Sequence, residues 1–148
     1  MKTALVAIIG LTFALTAAAD QVEDRAKLSG TWQIENASGK PVTWVIEQKA
    51  DTAHFTNSEG DQKAADFECS TRGRECKMTD SGKDAKISMW FNGSSLIQME
   101  TKGSDVTKRK FSVGPEGDKL SVEIIQIVPA GKTETFHFKR AQTTTAQK

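Results

Sequence analysis

Helical periodicity, cysteine and net charge are all scarce in this chain. Beyond its first residues no long segment repeats apolar side chains at helical spacing, and no internal repeat is visible, so helical bundles and repeat arrays are set aside. Its 20 basic and 19 acidic residues nearly cancel, which argues against nucleic acid or an anionic membrane surface as a main partner. The basic trio Lys108-Arg109-Lys110 has acidic neighbours along the strand pattern and reads as a solvated strand face. The two cysteines, Cys69 and Cys76, are too far apart for a C-x-x-C redox motif and lack further ligands for a metal site. The two histidines, His54 and His137, have no Cys, His or carboxylate at ligand spacing and read as surface residues. There is no G-x-S-x-G elbow, and Glu47, Glu100 and Glu123 lie on expected strands, where carboxylates normally face solvent. No catalytic residue, metal site or cofactor motif emerges, and the chain reads as a non-enzyme.

What is present begins at the N-terminus. Met1-Lys2 is followed by an apolar run that closes on Ala17-Ala18-Ala19 before Asp20, the pattern of a signal peptide over residues 1–19, cleaved after Ala19. The run is too short and Ala-rich for a membrane span of ~20 residues. The residue after the cleavage point is not Cys, which excludes a lipid anchor there. The expected location is secreted or periplasmic, with no membrane span after cleavage. One domain is expected over residues 20–140 and a disordered polar tail over 141–148. In an exported chain the two cysteines are expected to pair. If Arg72-Gly73 is a two-residue turn, Cys69 and Cys76 fall directly opposite each other, with Cα atoms ~4.5–5.5 Å apart. That is a structural staple on one hairpin.

After a polar lead over 20–27 that fits a single helical turn, short β-type runs recur, separated by turn residues. They cover 31–35, 42–49, 53–57, 64–70, 75–79, 86–91, 94–101, 106–113 and 120–128, with a last strand ending at Arg140. A polar loop is expected over 58–63 and a break at Ser81-Gly82. Asn92-Gly93 is a strong hairpin signal, because both residues tolerate positive φ. Used as the turn, it sets Met89 opposite Leu96 and Ile87 opposite Gln98, with Phe91 on the same face and Trp90, Ile97 and Met99 on the other. Pro129-Ala130-Gly131 fits a three-residue loop, setting Ile124 opposite Phe136, Val122 opposite Phe138 and Leu120 opposite Arg140. Ile125 and Ile127 then point outward, either covered by a neighbour or forming a surface for a protein partner or a dimer. The expected fold is all-β: a single antiparallel up-and-down barrel of eight to ten strands, which removes edge strands. A β-sandwich is the alternative.

Leu28-Ser29-Gly30-Thr31-Trp32 opens the first strand, and Phe138-Lys139-Arg140 ends the last. This resembles the lipocalin-like (calycin-type) barrels, whose G-x-W packs its Trp across the closed barrel end beneath a basic residue of the final strand. The resemblance implies that Gly30, Trp32 and Arg140 form such an end, the guanidinium stacked on the indole. The whole mature chain also resembles small exported lipocalin-like proteins of soil bacteria. The Asp-Tyr loop motif of the main lipocalin branch has no counterpart, since the chain has no Tyr.

A hollow barrel implies a small apolar ligand inside, with Trp44, Met89, Phe91, Leu96, Ile124, Phe136 and Phe138 as lining candidates. Trp44 and Trp90 fit either a cavity wall or ordinary packing. A filled barrel implies instead a non-enzymatic interaction or inhibitor protein that presents its loops or the Ile125/Ile127 face.

Overall fold

The computed structural model describes residues 15–35, 38–80 and 82–142. They contain one helix, α1 (Leu15–Ala26), and ten strands. These are β1 (Gly30–Ile34), β2 (Val42–Gln48), β3 (Thr52–Glu59), β4 (Gln62–Ser70), β5 (Cys76–Asp80), β6 (Lys83–Asn92), β7 (Ser95–Lys102), β8 (Asp105–Val113), β9 (Lys119–Val128) and β10 (Thr133–Arg140). All pair antiparallel in the order β4-β3-β2-β1-β10-β9-β8-β7-β6-β5. The first and last strands pair, Trp32 opposite Arg140, and this rolls the meander into a nearly closed up-and-down barrel. Strand alternation sorts the faces: on β6, Ala85, Ile87 and Met89 are buried, while Asp84 and Lys86 between and before them are exposed.

The barrel fails to close by hydrogen bonds at one seam, between β4 and β5. The disulfide Cys69–Cys76 crosses that seam, with Cα atoms 5.7 Å apart. The cysteines are joined as expected, but not as facing residues of one hairpin. Residues 71–75 run instead across the barrel end: Thr71 N donates to Asp51 O, Gly73 N to Met89 O, and Arg72 bridges to Trp90. These neighbouring strands capture the backbone groups that a tight β4–β5 turn would have used.

Two other registers differ from expectation by two residues. Asn92 stays in the strand opposite Ser95, so the turn is Gly93-Ser94, and Met89 pairs with Gln98 and Phe91 with Leu96. In the last hairpin, Val122 pairs with Phe136, Leu120 with Phe138 and Ile124 with Glu134. The β9–β10 ladder ends at Ile125 and Thr133, because β9 beyond that point pairs with β8 alone. A shift of two preserves every inward face. The expected loop over 58–63 is a tight turn at Gly60 (φ 60°) flanked by paired residues.

The helix α1 is longer than the single turn expected over 20–27. It begins upstream of Asp20, in the Ala-rich stretch whose helix propensity is high, and crosses the expected cleavage point. The rest of the expected signal peptide, residues 1–14, lies outside the described residues, as does the tail beyond Gln142. Arg25 fastens the helix to the barrel: its Nε donates to Gly93 O at 2.9 Å, and its Cζ lies 4.7 Å from the Phe91 ring centroid.

Candidate functional site

The two barrel ends are built differently. At the α1 end, β1 begins with Gly30 at φ +150°, and a Cβ there would lie 2.0 Å from Arg140 Nη1. The absent side chain leaves room for the guanidinium. Arg140 donates from Nε to Gly117 O, from Nη1 to Ser29 O and from Nη2 to Lys27 O, each at 2.8 Å. Its Cζ sits 4.2 Å from the Trp32 ring centroid. Trp32 is fully buried, and its Nε1 donates to Leu28 O at 3.0 Å. These contacts seal this end of the barrel.

Above the seal the interior is filled. Ile46, Phe55, Ile87, Met89, Leu96, Phe111, Leu120, Val122 and Phe138 are buried in one cluster with Trp32. The Trp44 ring meets Phe55, Phe111 and Phe138 edge-on at centroid distances of 5.9, 5.6 and 6.5 Å. Phe55 stacks on Phe67 at 5.4 Å. Each such pair contributes about 0.5–1.5 kcal/mol beyond area burial.

The candidate site is a pocket of about 70 Å³ in the opposite half of the barrel. Its apolar wall is Trp44, Ala65, Phe67 and Met78; its polar wall is Asn57, Gln98, Glu100 and Arg109. Arg109 Nη1 donates to Glu100 Oε2 at 2.9 Å, the two side chains being 20% and 9% exposed. In this charge-assisted bond the two opposite charges offset each other inside the barrel. Gln98 is 2% exposed, and its Oε1 has no hydrogen-bond partner.

Of the seven expected lining residues, only Trp44 borders this pocket. Met89, Leu96 and Phe138 are core, and Phe91, Ile124 and Phe136 pack half-buried against it. They line the barrel wall, but bulky side chains fill the space they enclose. Glu100 faces inward and is buried, contrary to the expected solvent-facing carboxylate. Arg109 likewise points in, out of the supposed solvated basic face. The missed signal was the continued alternation Leu96, Gln98, Glu100 on β7 and Phe111, Arg109 on β8: an inward face does not end where its side chains turn polar.

Both histidines lie outside the barrel. His54 stands between Asp66 (Nε2 to Oδ1, 2.5 Å) and Glu47 (Nδ1 to Oε2, 3.6 Å) on the outer face. The hydrogen bond to Asp66 is the main cause that raises the imidazole pKa. The carboxyl of Asp66 is lowered in turn, by Lys63 first and His54 second. His137 is exposed and bonds to Ser121. Among the described residues no cluster of three or more His, Cys, Asp or Glu side chains is placed to hold a metal. A larger groove of about 650 Å³ lies outside the sealed end, bordered by Val22 and Arg25 of α1, Lys49, Arg72 and Trp90. It is open to solvent, with Trp90 37% and Val22 64% exposed. On the outer wall Ile125 is half-buried and Ile127 exposed.

No family model and no curated protein sequence matches the chain. Solved structures do match its shape. Secretory abundant heat soluble protein 4 from Ramazzottius varieornatus overlays with a TM-score of 0.66 at 16% identity, covering 79% of this chain and 96% of that one. The REP1-NXSQ fatty acid transporter gives 0.67 at 19% identity, over 79% and 98%. Echinococcus granulosus fatty-acid-binding protein 1 gives 0.62 at 10% identity, over 78% and 98%. At such identities the likeness is one of fold, and with the ten-strand order and the sealed Gly30/Trp32/Arg140 end the architecture is settled: this chain has the lipocalin-like fold of the calycin-type β-barrels.

Proposed function

We propose that this chain is an exported, non-enzymatic binder of a small apolar ligand, held inside the barrel at the end away from α1. The observation that carries the reading is the pocket itself: an aromatic and aliphatic wall facing a few convergent polar groups, the composition of ligand sites in general. Two of the structural neighbours are named as a fatty acid transporter and a fatty-acid-binding protein. Met78 on the pocket wall is a flexible side chain that re-packs at low cost, so the space adapts to a larger occupant. Residues 1–19 serve as the export signal in this reading, residues 20–140 as the binding domain and 141–148 as a tail. Cleavage after Ala19 leaves Arg25 and its anchor on Gly93 in place. The disulfide fits an oxidising compartment, and among the described residues no helix is long and apolar enough to cross a membrane.

Titration of the purified mature chain with the neutral apolar dye N-phenyl-1-naphthylamine tests the reading, with a saturable one-to-one signal expected. A folded protein that gives no saturable signal overturns it. One observation favours a second reading: about 70 Å³ is well below the ~300 Å³ of ordinary ligand pockets. In that case the barrel is a filled scaffold, and Trp90, Val22 or the Ile125/Ile127 face meets another protein.

A further inference from the structure

Resting on the binding reading above, we infer that the occupant presents a neutral hydroxyl to Gln98 and is not a carboxylate. Gln98 Oε1 is a hydrogen-bond acceptor on a side chain only 2% exposed, and it has no partner in the protein. A buried orphan acceptor is costly, and a ligand that donates to it recovers that cost. The nearest cation does not supply a site for an anion. Arg109 is already committed to Glu100 at 2.9 Å, so an entering carboxylate would face Glu100 as a second negative charge in a poorly solvated space. A hydroxyl meets both demands once the Gln98 amide turns toward the pocket: its O–H then donates to Oε1, and its lone pairs accept from N–H groups of Arg109 that Glu100 leaves unused.

The space limits the occupant's size. One ordered water takes up about 10–15 Å³ of such volume, so a pocket of about 70 Å³ holds a hydroxyl with a short apolar stem against Trp44, Phe67 and Met78. The class is a small aliphatic alcohol, or the hydroxyl end of a longer one.

The experiment compares 1-butanol, its isomer methyl propyl ether and butanoate on the mature chain. Binding is followed by two-dimensional NMR at the Gln98 side-chain amide and the Trp44 indole, and the titration with the neutral apolar dye is run in parallel. The ether has the same atoms as the alcohol but no donor. Butanol is expected to bind about tenfold tighter than the ether, the worth of one hydrogen bond to an otherwise orphaned acceptor. Butanoate is expected to bind more weakly than butanol. Gln98→Leu should bring butanol down to the level of the ether. Equal binding of alcohol and ether, tighter binding of butanoate, or an unchanged preference in a folded Gln98→Leu variant each overturns the inference. Should that variant fail to fold, the wild-type alcohol-to-ether ratio decides alone. If the dye binds and butanol does not, the hydroxyl assignment falls while the binding reading stands; if neither binds, both fall.

Discussion

Gly30→Ala is the substitution on which the sealed end depends most sharply. A methyl group at this position would lie 2.0 Å from Arg140 Nη1, so the guanidinium must leave. It then loses three carbonyl partners and its seat on Trp32. Water replaces part of that, so the net cost of the lost charge-assisted bonds and cation–π contact is about 2–3 kcal/mol. Holding a non-glycine residue at φ +150° adds about 1–2 kcal/mol, for a total of about 3–5 kcal/mol. Urea denaturation of the wild type, Gly30→Ala, Arg140→Ala and the double variant separates the two parts. With Arg140 already removed, Gly30→Ala should cost only the backbone share, about 1–2 kcal/mol. The same cost in both backgrounds would refute the steric reasoning, since it would mean that Arg140 does not need the space Gly30 leaves.

Replacing Cys69 and Cys76 together by Ser should lower stability by about 2–3 kcal/mol through the small closed loop, and hydrogen exchange should rise first along the β4–β5 seam; the wild type should show no reactive thiol. The folded-state pKa of His54 lies above its unfolded value through Asp66, so its stabilising effect is complete below about pH 6.5 and lost as pH rises through the folded value. Asp66, lowered by Lys63 and His54, contributes above about pH 4 and loses that contribution as pH falls through its folded value. NMR titration of His54 should show the upward shift shrink in Asp66→Asn. Glu100→Gln, which leaves Arg109 without its carboxylate inside the barrel, should cost about 1–3 kcal/mol by thermal unfolding; replacing both residues by apolar ones of similar size should cost less than that single change.

The barrel was legible because the alternation of apolar and polar residues survives small errors in the turns. Both misread hairpins slipped by two residues, and Met89, Phe91, Leu96, Val122 and Phe138 still point where alternation sends them. Gly30, Trp32 and Arg140 were legible as a group through the resemblance to lipocalin-like barrels, and the structure shows why they belong together: the missing Cβ of Gly30 leaves room for the guanidinium that covers the Trp32 ring. The pocket was not legible, for two reasons. Whether a barrel is hollow depends on how Trp44, Phe55, Phe111 and Phe138 interlock across the interior, and no single strand carries that information. Glu100 and Arg109 each look like surface residues on their own strand, and only the pairing of Glu100 with Thr107 and Gln98 with Arg109 brings them together inside. The seam between β4 and β5 was hidden by a plausible turn, whose backbone groups bond to Asp51 and Met89 instead.

Entry of a ligand into the barrel beside Trp44 is tested most directly by the three tryptophan indole signals in a nitrogen–proton spectrum during titration with 1-butanol. Trp32 is sealed against Leu28 O and Arg140, Trp90 stands in the outer groove, and Trp44 borders the internal pocket. The Trp44 signal is expected to move and saturate while those of Trp32 and Trp90 stay in place. Saturable movement of Trp90 alone, or no saturable movement of Trp44, would contradict it.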